Sequence, residues 1–317
     1  MILMHFTGLI LSIGVLVWGA DKFVDNAALV AKKLGLSELT IGLTIVALGT
    51  SAPEIFVGIS SVLSGTEEIA LGTVIGSNIS NIALIFGVSC IGLSAIPKKT
   101  PPIQFFAFLL SALVLTFAMF DLQISIFESV SLLFVFIIFT YITFKFRSDD
   151  VSLEEVDKVN DLKTSNTLLM LVIGLIALIL GSKYAVLHAK EIAIMLSVSE
   201  LVIGLTIVAI GTSLPELAAT ISAILKKKND MVVGNVIGSN VLNITLVVPI
   251  IGFFSNVTLS QSILSRDILA MIAATILFIV VATTYSSKFS SVKATKFIGV
   301  FFVSGYLLYI LLVSNII

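Results

Sequence analysis

Long apolar stretches separated by short polar intervals run along the whole chain. Each stretch has the length of about 20 residues that an α-helix needs to cross a bilayer. The stretches lie at roughly 6–32, 38–64, 69–95, 103–120, 124–146, 166–190, 200–225, 231–255, 267–285 and 295–314. The pattern predicts an all-α polytopic membrane protein with ten transmembrane helices. We expect a first five-helix unit at 1–147, a cytoplasmic linker at 148–164 and a second five-helix unit at 165–317.

Composition supports this prediction, because 58% of the residues are hydrophobic, 12% are charged and the mean hydropathy is +1.17. A soluble globule could not bury so much apolar surface. The first stretch lacks the basic start and the small-residue cleavage site of a signal peptide, so we expect it to be a transmembrane helix. One cysteine excludes an internal disulfide framework, and two histidines are too few for a histidine-rich metal site. The net charge of -1 gives no sign of nucleic-acid binding.

Basic residues are distributed unevenly over the intervals between the predicted helices. If the N-terminus is outside, 15 Lys and Arg residues fall in cytoplasmic intervals and 3 fall in external ones. Cytoplasmic loops of membrane proteins carry such an excess of positive charge. We therefore expect a multi-pass protein of the cell inner (plasma) membrane, embedded in the lipid bilayer, with both termini outside.

Two blocks of sequence occur twice at one constant spacing. SELTIGLTIVALGTSAPE at 37–54 aligns without gaps with SELVIGLTIVAIGTSLPE at 199–216, with 15 of 18 residues identical at an offset of 162. GTVIGSNISNI at 72–82 matches GNVIGSNVLNI at 234–244 at 8 of 11 positions and the same offset. This is a duplication. Because each half has an odd number of helices, the halves must be inverted repeats, and their GTSxPE segments meet near the midplane.

Each GTSxPE segment carries a proline inside an apolar span. Pro53 and Pro215 lack a backbone donor and clash with the preceding turn, so we expect broken helices at the midplane. Carbonyls freed by the break need partners, and irregular backbone at this depth is tolerated where it lines a buried cavity. Bound cations can supply the partners, as can the hydroxyls of Thr50, Ser51, Thr212 and Ser213.

Glu54 and Glu216 are the acidic residues that lie deep inside apolar spans. A charged group at the centre of a bilayer costs roughly 2.5–3.5 kcal/mol even on a lenient insertion scale. No lysine or arginine is placed at that depth. The simplest compensating partner is therefore a bound cation.

The second block adds amide and hydroxyl groups on one helix face. Residues three and four apart share a helix face. The polar residues with this spacing are Ser77, Asn78 and Asn81, and in the second half Ser239, Asn240 and Asn243. Oxygen donors without Cys or His suit hard cations such as Ca²⁺ and Na⁺. Proline kinks and Asn or Ser pairs also serve as packing devices in membrane helices, but two symmetric copies with carboxylates favour an ion site.

With these motifs the chain resembles the sodium/calcium exchanger family of the cation/calcium antiporter superfamily, and its prokaryotic members in particular. The resemblance covers the whole chain, through GTSAPE with GSNISN in the first half and GTSLPE with GSNVLN in the second. It implies a transporter, not an enzyme, that exchanges Na⁺ for Ca²⁺ by alternating access at one midmembrane site. Na⁺ and Ca²⁺ are then the transported ions, with no organic cofactor and no obligatory protein partner.

The resemblance also assigns roles to individual residues. It makes Glu54 and Glu216 the central carboxylate ligands, and Asn81 and Asn243 complete the central site. It places around them the side-chain or backbone oxygens of Thr50, Ser51, Thr212, Ser213, Ser77 and Ser239, and it gives the outlying Na⁺ positions the carbonyls of Ala47 and Ala209. Asn78 and Asn240 rank lower, as residues that stabilise the helix break.

Position 243 bears on the subtype. Potassium-dependent members of the family carry Asp where this chain has Asn243, so the resemblance implies K⁺-independent exchange. The central segment is also far too short for the calcium-binding regulatory domains of animal exchangers, which points to a bacterial or archaeal origin.

Other functions stay open at this point. A cation/proton exchanger of the same fold would use Glu54 and Glu216 to bind protons in place of Na⁺. A passive cation channel is a further alternative, although inverted repeats with broken helices favour a transporter. An intramembrane enzyme would need a nucleophile and base pair or an H-E-x-x-H site, and neither motif occurs. Asp21 and its repeat mate Lys183 are expected as two separate interfacial charges.

Overall fold

A computed structural model describes most of the chain. It covers residues 2–65, 67–92, 100–146, 164–197, 209–254, 257–258, 261, 263–285 and 292–314. Nearly all of these residues are helical. Of the predicted linker only Thr164 is described, and the beginning of the seventh predicted span, at 200–208, lies outside the described residues.

In the first half of the chain the described residues form eight α-helices, several of which join end to end through π-helical turns. The elements are α1 (Ile2–Lys33), α2 (Glu38–Ile41), a π turn (Gly42–Val46), α3 (Ala47–Thr50), α4 (Ala52–Ser64), α5 (Glu67–Ser80), a π turn (Asn81–Phe86), α6 (Gly87–Gly92), α7 (Pro102–Ala118), β1 (Gln123–Ile124) and α8 (Ile126–Lys145).

The second half repeats much of this order. Its elements are α9 (Thr164–Met195), α10 (Ala209–Thr212), α11 (Leu214–Leu225), α12 (Asn229–Leu242), a π turn (Asn243–Val247), α13 (Val248–Phe254), β2 (Val257–Thr258), a π turn (Ile263–Ile268), α14 (Leu269–Tyr285) and α15 (Val292–Val313). β1 and β2 pair antiparallel and link the two halves at one end of the helix bundle.

Seven of the described helices are long and apolar enough to cross a membrane, and the bent pair Glu38–Thr50 and Ala52–Ser64 makes an eighth. Two further apolar helices, Pro102–Ala118 and Leu214–Leu225, are shorter. The predicted class, an all-α multi-pass membrane protein, is confirmed by these spans.

Burial separates central helices from peripheral ones. In the most apolar windows of Ala70–Gly92 and Asn229–Phe254, 78% and 83% of the residues are buried, against 22% in α1 and 28% in α9. The outer faces of α1 and α9 expose apolar side chains such as Leu3 and Leu169. Such a surface suits contact with lipid chains. The helices that carry the GSNxxN motifs therefore occupy the middle of the molecule.

The peripheral helices α1 and α9 pack against each other along their lengths and run antiparallel. His5, near the start of α1, contacts His188 near the end of α9, with 3.2 Å between their Nδ1 atoms. At the other end, Lys33 Nζ donates a hydrogen bond of 3.0 Å to Thr164 Oγ1. The pair thus spans the full thickness of the bundle.

Close backbone contacts at the crossing of α1 and α9 depend on glycine. A Cβ atom on Gly19 would lie 2.4 Å from Leu178 N, and one on Gly181 would lie 2.5 Å from Leu16 N. Small residues at helix crossings let membrane helices approach in this way. The two contacts are reciprocal, because Gly181 and Leu178 follow Gly19 and Leu16 by the repeat offset of 162 residues.

Aromatic side chains fill the core on the far side of the central helices. Phe278 of α14 makes edge-on contacts with Phe86, Phe105 and Phe108, at centroid distances of 4.7, 6.3 and 5.8 Å. Edge-to-face pairs at such distances are favourable beyond their buried area. The first half of the chain therefore packs directly on α14 of the second half.

Glu128, which lies close to an apolar span, has a local structural role. Its carboxylate accepts a hydrogen bond of 2.9 Å from the backbone N–H of Ser125 and a second one from the Ser125 hydroxyl, which forms a capping box at the start of α8. Such caps satisfy the free donors of a helix N-terminus. The capping box thus explains the position of Glu128, and no bound ion is needed there.

Candidate ion-binding site

The GTSAPE segment breaks its helix in front of the proline. α3 ends at Thr50, Ser51 leaves the helical conformation with φ -80° and ψ 1°, and α4 begins at Ala52. The two pieces are bent by 43°. Pro53 lies in the first turn of α4, where its missing N–H costs no helical hydrogen bond. The predicted break is confirmed, and its site is Ser51.

The second GTSxPE segment has the same local structure. α10 ends at Thr212, Ser213 has φ -95° and ψ 12°, and α11 begins at Leu214 with Pro215 in its first turn. The backbone N–H of Ser213 donates to Ile210 O at 3.1 Å. The break thus recurs at the repeat mate of Ser51.

Both breaks place a glutamate in the first turn of the helix that follows. Glu54 is the third residue of α4 and Glu216 is the third residue of α11. The free N–H groups and the dipole of a helix N-terminus favour negative charge. Only 2% of Glu54 and 1% of Glu216 is exposed, so helix dipoles are the main fixed positive features near these carboxylates.

The two carboxylates have few hydrogen-bond partners. Ser77 Oγ donates to Glu54 Oε1 at 3.1 Å. Glu54 Oε2 and both carboxylate oxygens of Glu216 make no hydrogen bond to any residue that the structure describes. Glu216 lies near the hydroxyls of Thr50 and Ser51 and near the carboxylate of Glu54. The geometry between its carboxylate and the two hydroxyls is outside that of a hydrogen bond.

The side chains of the two asparagines that begin the central π turns are also buried without hydrogen-bond partners in the described part of the chain. Asn81 and Asn243 are 1% and 0% exposed, and in the described part of the chain both polar atoms of each amide lack a hydrogen-bond partner. Buried polar atoms without partners are rare in folded proteins and cost free energy. π turns are frequent at functional sites because they displace side chains from the regular helical register.

Asn78 and Asn240 use their amide nitrogens for structure. Asn78 Nδ2 donates to the backbone carbonyl of Asn240 at 3.4 Å, and Asn240 Nδ2 donates to Val236 O at 2.6 Å. Their Oδ1 atoms have no partner among the described residues. These bonds agree with the lower rank that the sequence assigns to Asn78 and Asn240.

Hydroxyl and carbonyl groups close the site on the side of the first break. Thr50 Oγ1 lies 3.4 Å from Ala47 O, 3.3 Å from Asn235 Oδ1 and 3.4 Å from Ser239 Oγ. Ala47 O also accepts the N–H of Ser51 at 2.9 Å. The Ala47 carbonyl therefore has one strong backbone bond, and the hydroxyl of Thr50 is a second, weaker neighbour.

Side-chain contacts join five segments of the chain around this centre. Ser77 links α5 to α4, Thr50 links α3 to α12, and Ser80 Oγ lies 2.5 Å from Ser213 Oγ, which links α5 to the second break. The predicted oxygen donors lie on these segments, on α10 and α11, or at the start of the π turns that follow α5 and α12. Those buried in the centre are Ala47, Thr50, Ser51, Glu54, Ser77, Asn81, Ser213, Glu216, Ser239 and Asn243. Thr212 is half-buried at the end of α10, which begins at Ala209.

The sequence analysis missed two residues of this network, Asn235 and Ser80. Asn235, Ser239 and Asn243 follow one another at intervals of four residues along α12, so a polar stripe on one helix face was a usable signal for Asn235. Ser80 offered no comparable signal, because its partner Ser213 is distant in the chain.

The donor set consists of oxygen atoms. Among the described residues no group of three or more His, Cys, Asp or Glu side chains could hold a metal ion. The site has instead two carboxylates surrounded by amides, hydroxyls and helix N-termini. Hard cations prefer such ligands. A divalent cation balances the charge of two ionised carboxylates.

A second charged cluster involves the second half of α1. Lys226 Nζ contacts Asp21 Oδ1 at 2.5 Å and Asp25 Oδ2 at 2.6 Å, and Lys228 Nζ lies 3.6 Å from Asp25 Oδ1. Asp21 is thus paired with Lys226 and not with its repeat mate Lys183. Its partner comes from the loop after α11, which sequence spacing could not reveal.

The environment of these lysines changes their acidity in opposite directions. Burial lowers the pKa of Lys226, but its hydrogen bonds and charge interactions with Asp21 and Asp25 outweigh this effect, so the pKa is raised overall. Burial dominates for Lys228 and lowers its pKa, although Asp25 acts against it. Lys226 is thus the firmly charged centre of the cluster.

Apolar helices of spanning length, closed around a buried pair of carboxylates at two helix breaks, define the class: a multi-pass membrane protein with its polar centre inside the helix bundle. A family model described as sodium/calcium exchanger protein matches residues 4–145 and 166–315. The chain belongs to this family of exchangers, whose members are transporters.

Individual relatives agree with this assignment. The sodium/calcium exchanger MaX1 of Methanosarcina acetivorans is 47% identical over 91 residues, which is 29% of this chain and 26% of MaX1. Inner membrane protein YrbG of Escherichia coli is 30% identical over 283 residues, 85% of this chain and 86% of YrbG. A solved structure of the sodium-calcium exchanger NCX_Mj superposes with a TM-score of 0.83 at 30% identity, covering 98% of both chains. The predicted resemblance to prokaryotic members is confirmed.

Proposed function

We propose that the protein is a secondary active antiporter that exchanges Na⁺ for Ca²⁺ at the site between the two helix breaks. Membership of the exchanger family supports cation and Ca²⁺ antiport. The observation that carries the proposal is the burial of Glu54 and Glu216 beside unpartnered amides of Asn81 and Asn243. In this proposal the carboxylates are the central ligands, and the hydroxyls and carbonyls of the breaks complete the coordination.

The charge of the site explains why transport would be an exchange. Two ionised carboxylates near the bilayer centre carry an uncompensated charge, which costs several kcal/mol. One Ca²⁺ neutralises them, and so do Na⁺ ions in sufficient number. An empty site with two negative charges is unfavourable to transfer from one side of the membrane to the other. One ion is therefore released only in exchange for another.

Alternating access requires two related halves, and the packing of α1 and α9 supports inverted repeats. The bounds of α1 and α9 differ by the repeat offset, and the helices run antiparallel with reciprocal glycine contacts. Near the centre Asn78 contacts its own repeat mate Asn240. Contacts between equivalent residues are expected beside a two-fold axis in the membrane plane.

Ten spans follow if the shorter helices are counted. Seven long helices, the bent pair and Pro102–Ala118 overlap nine of the ten predicted stretches, and Leu214–Leu225 covers the second half of the remaining one, 200–225. We propose units at 1–147 and 165–317 that enter the membrane from opposite sides, with both termini outside. The end of the α1 and α9 pair at which Lys33 bonds to Thr164 is then cytoplasmic. Lys226 and Lys228 are cytoplasmic too, in agreement with the positive-inside rule.

Na⁺ is the proposed coupling ion, since MaX1 and NCX_Mj are both named as sodium-calcium exchangers. The proposed exchange does not involve K⁺. With Asn at position 243, two carboxylates provide the charge of the site, and a K⁺ bound beside Ca²⁺ would leave a positive charge without a partner.

Ion flux into proteoliposomes tests the proposal. Vesicles loaded with Na⁺ should take up ⁴⁵Ca²⁺ from a Na⁺-free medium, and the uptake should saturate with Ca²⁺. Vesicles loaded with choline and given a pH gradient of equal size should take up none. Uptake driven by the pH gradient alone would identify a cation/proton exchanger instead, and unsaturable uptake without any gradient would identify a channel.

A further inference from the structure

The two histidines of the chain lie against each other although 183 residues separate them. His5 is in the first turns of α1, and His188 is near the end of α9. Their Nδ1 atoms are 3.2 Å apart, the ring centroids are 5.4 Å apart and the ring planes are inclined by 65°. Neither residue belongs to the ion site or to the repeat motifs.

We propose that His5 and His188 form a binding site for a divalent transition-metal ion such as Zn²⁺ or Cu²⁺. In a tetrahedral site with Zn–N distances of 2.0–2.1 Å, two ligand nitrogens lie about 3.3 Å apart. The 3.2 Å between the Nδ1 atoms matches this edge. A small rotation of the His5 ring directs both lone pairs to one point, and the metal replaces the proton shared by the two nitrogens.

Packing fixes the orientation of His188. A Cβ atom on Gly8 would lie 2.3 Å from His188 Nε2 and 2.6 Å from Cε1. The ring therefore rests on the backbone of α1 at Gly8, and its Nε2 edge is covered. Its Nδ1 atom is left facing His5, so little conformational freedom is lost when a metal binds.

The site lies at the membrane surface opposite the lysine cluster. Sixteen residues of α1 separate His5 from Asp21, which is about 24 Å along a helix. Since the hydrocarbon core is about 30 Å thick, His5 lies within roughly one turn of the far surface. His5 and His188 are both only partly buried, and in this proposal ions reach them from that side.

Repeat symmetry does not require this pair. At an offset of 162 residues, His5 corresponds to Thr167 and His188 corresponds to Asn26, at the opposite end of α1 and α9. A threonine and an asparagine are poor ligands for Zn²⁺ or Cu²⁺. The imidazole pair is therefore a feature of one surface only.

Two imidazoles supply half of a tetrahedral coordination shell. Among the described residues no third His, Cys, Asp or Glu lies close enough to form a metal cluster. Water molecules take the remaining positions. We expect the metal ion to bind reversibly from the outside and to link the ends of α1 and α9.

Metal binding to purified, tag-free protein tests the proposal. Zn²⁺ in 100-fold excess over its Kd should raise Tm by roughly 5 °C, and pulsed EPR of one bound Cu²⁺ should show two imidazole nitrogens. His5→Gln and His188→Gln should each lose the shift in Tm, while Na⁺-driven Ca²⁺ exchange stays at the wild-type level. Glu54→Gln should keep the Zn²⁺ shift, which separates this site from the transport site.

The outcomes that overturn the proposal are equally definite. They are an EPR spectrum with fewer than two imidazoles, a Zn²⁺ shift that survives in the double variant, or the absence of any Zn²⁺ effect on wild type. If the glutamine variants fold poorly, His5→Phe retains the ring volume and gives the same comparison.

Discussion

Two residues, Glu54 and Glu216, are the central ligands of the proposed site. Both carboxylates are buried, and three of their four oxygens make no hydrogen bond to the described part of the chain. Each lies at a helix N-terminus, whose dipole lowers the cost of the charge but does not cancel it. A bound cation is the partner that we propose for them.

Replacing either carboxylate by an amide should abolish exchange. In Glu54→Gln or Glu216→Gln, bound Ca²⁺ keeps a positive charge that the site no longer balances. Removing one partner of a buried ion pair costs about 3–5 kcal/mol, which weakens Ca²⁺ binding roughly 100-fold or more. Stability without Ca²⁺ should be unchanged or higher, because one uncompensated charge has gone.

Uptake of ⁴⁵Ca²⁺ and thermal melting of the purified variants check this prediction. Glu68→Gln is the matched control, since Glu68 is exposed at the start of α5 and should tolerate the change. Normal exchange in either site variant would contradict the assignment of that carboxylate.

Asn243 should determine independence from K⁺. Its amide is fully buried and lacks a partner in the described chain, so it contributes an oxygen without a charge. We expect the rate of Na⁺-driven Ca²⁺ flux to be the same when K⁺ is replaced by choline. Asn243→Asp adds a negative charge and should make the flux respond to a further monovalent ion. Loss of wild-type exchange in the absence of K⁺ would show that another oxygen cluster holds that ion.

Single helices owe their arrangement to small residues as well as to the two prolines. Gly238 of α12 lies directly against the first broken helix, where an added Cβ would be 2.6 Å from both Ala47 Cβ and Leu43 O. The carbonyl of Ala47 and the hydroxyl of Ser239 are next to this contact. We therefore expect the distance between the two helices to set the size of the proposed ion site.

Gly238→Ala should therefore lower both stability and exchange. The methyl group meets a backbone atom that cannot move alone, and overpacking of this kind costs roughly 1–3 kcal/mol. Gly14→Ala is the matched control, because nothing lies within 4 Å of its added Cβ, and alanine is the better helix former. Melting temperatures of the two variants make the comparison. An unchanged Gly238→Ala protein would mean that the helices are not in contact there.

The whole molecule is predicted to cross the membrane with its N-terminus outside. Cys90 is buried and is the one cysteine of the chain, so wild type should not react with a membrane-impermeant maleimide. Leu3→Cys should be labelled in intact cells, because this position is 76% exposed and is predicted to lie outside. Lys227→Cys should be labelled only after the membrane is opened. The reverse labelling pattern would show that the N-terminus lies inside and would contradict the predicted topology.

Much of this architecture can be read from the sequence, and the rest depends on contacts between distant segments. Spans, helix breaks and the oxygen donors follow from apolar length, proline positions and the repeated motifs. The pairs Asp21 with Lys226, Ser80 with Ser213 and His5 with His188 follow only from which helix faces meet. The π turns at Asn81 and Asn243 were also unpredictable, because the sequence has no marker for one extra residue in a helical turn.

Competition between Na⁺ and Ca²⁺ for the purified protein tests the central claim most directly. ⁴⁵Ca²⁺ bound at equilibrium should be displaced by Na⁺ with a Hill coefficient above 1, because several Na⁺ ions are needed to replace one Ca²⁺. Glu216→Gln should bind no ⁴⁵Ca²⁺ under the same conditions. If Na⁺ leaves the bound ⁴⁵Ca²⁺ in place, or if Glu216→Gln retains it, the two ions do not share the site between the helix breaks.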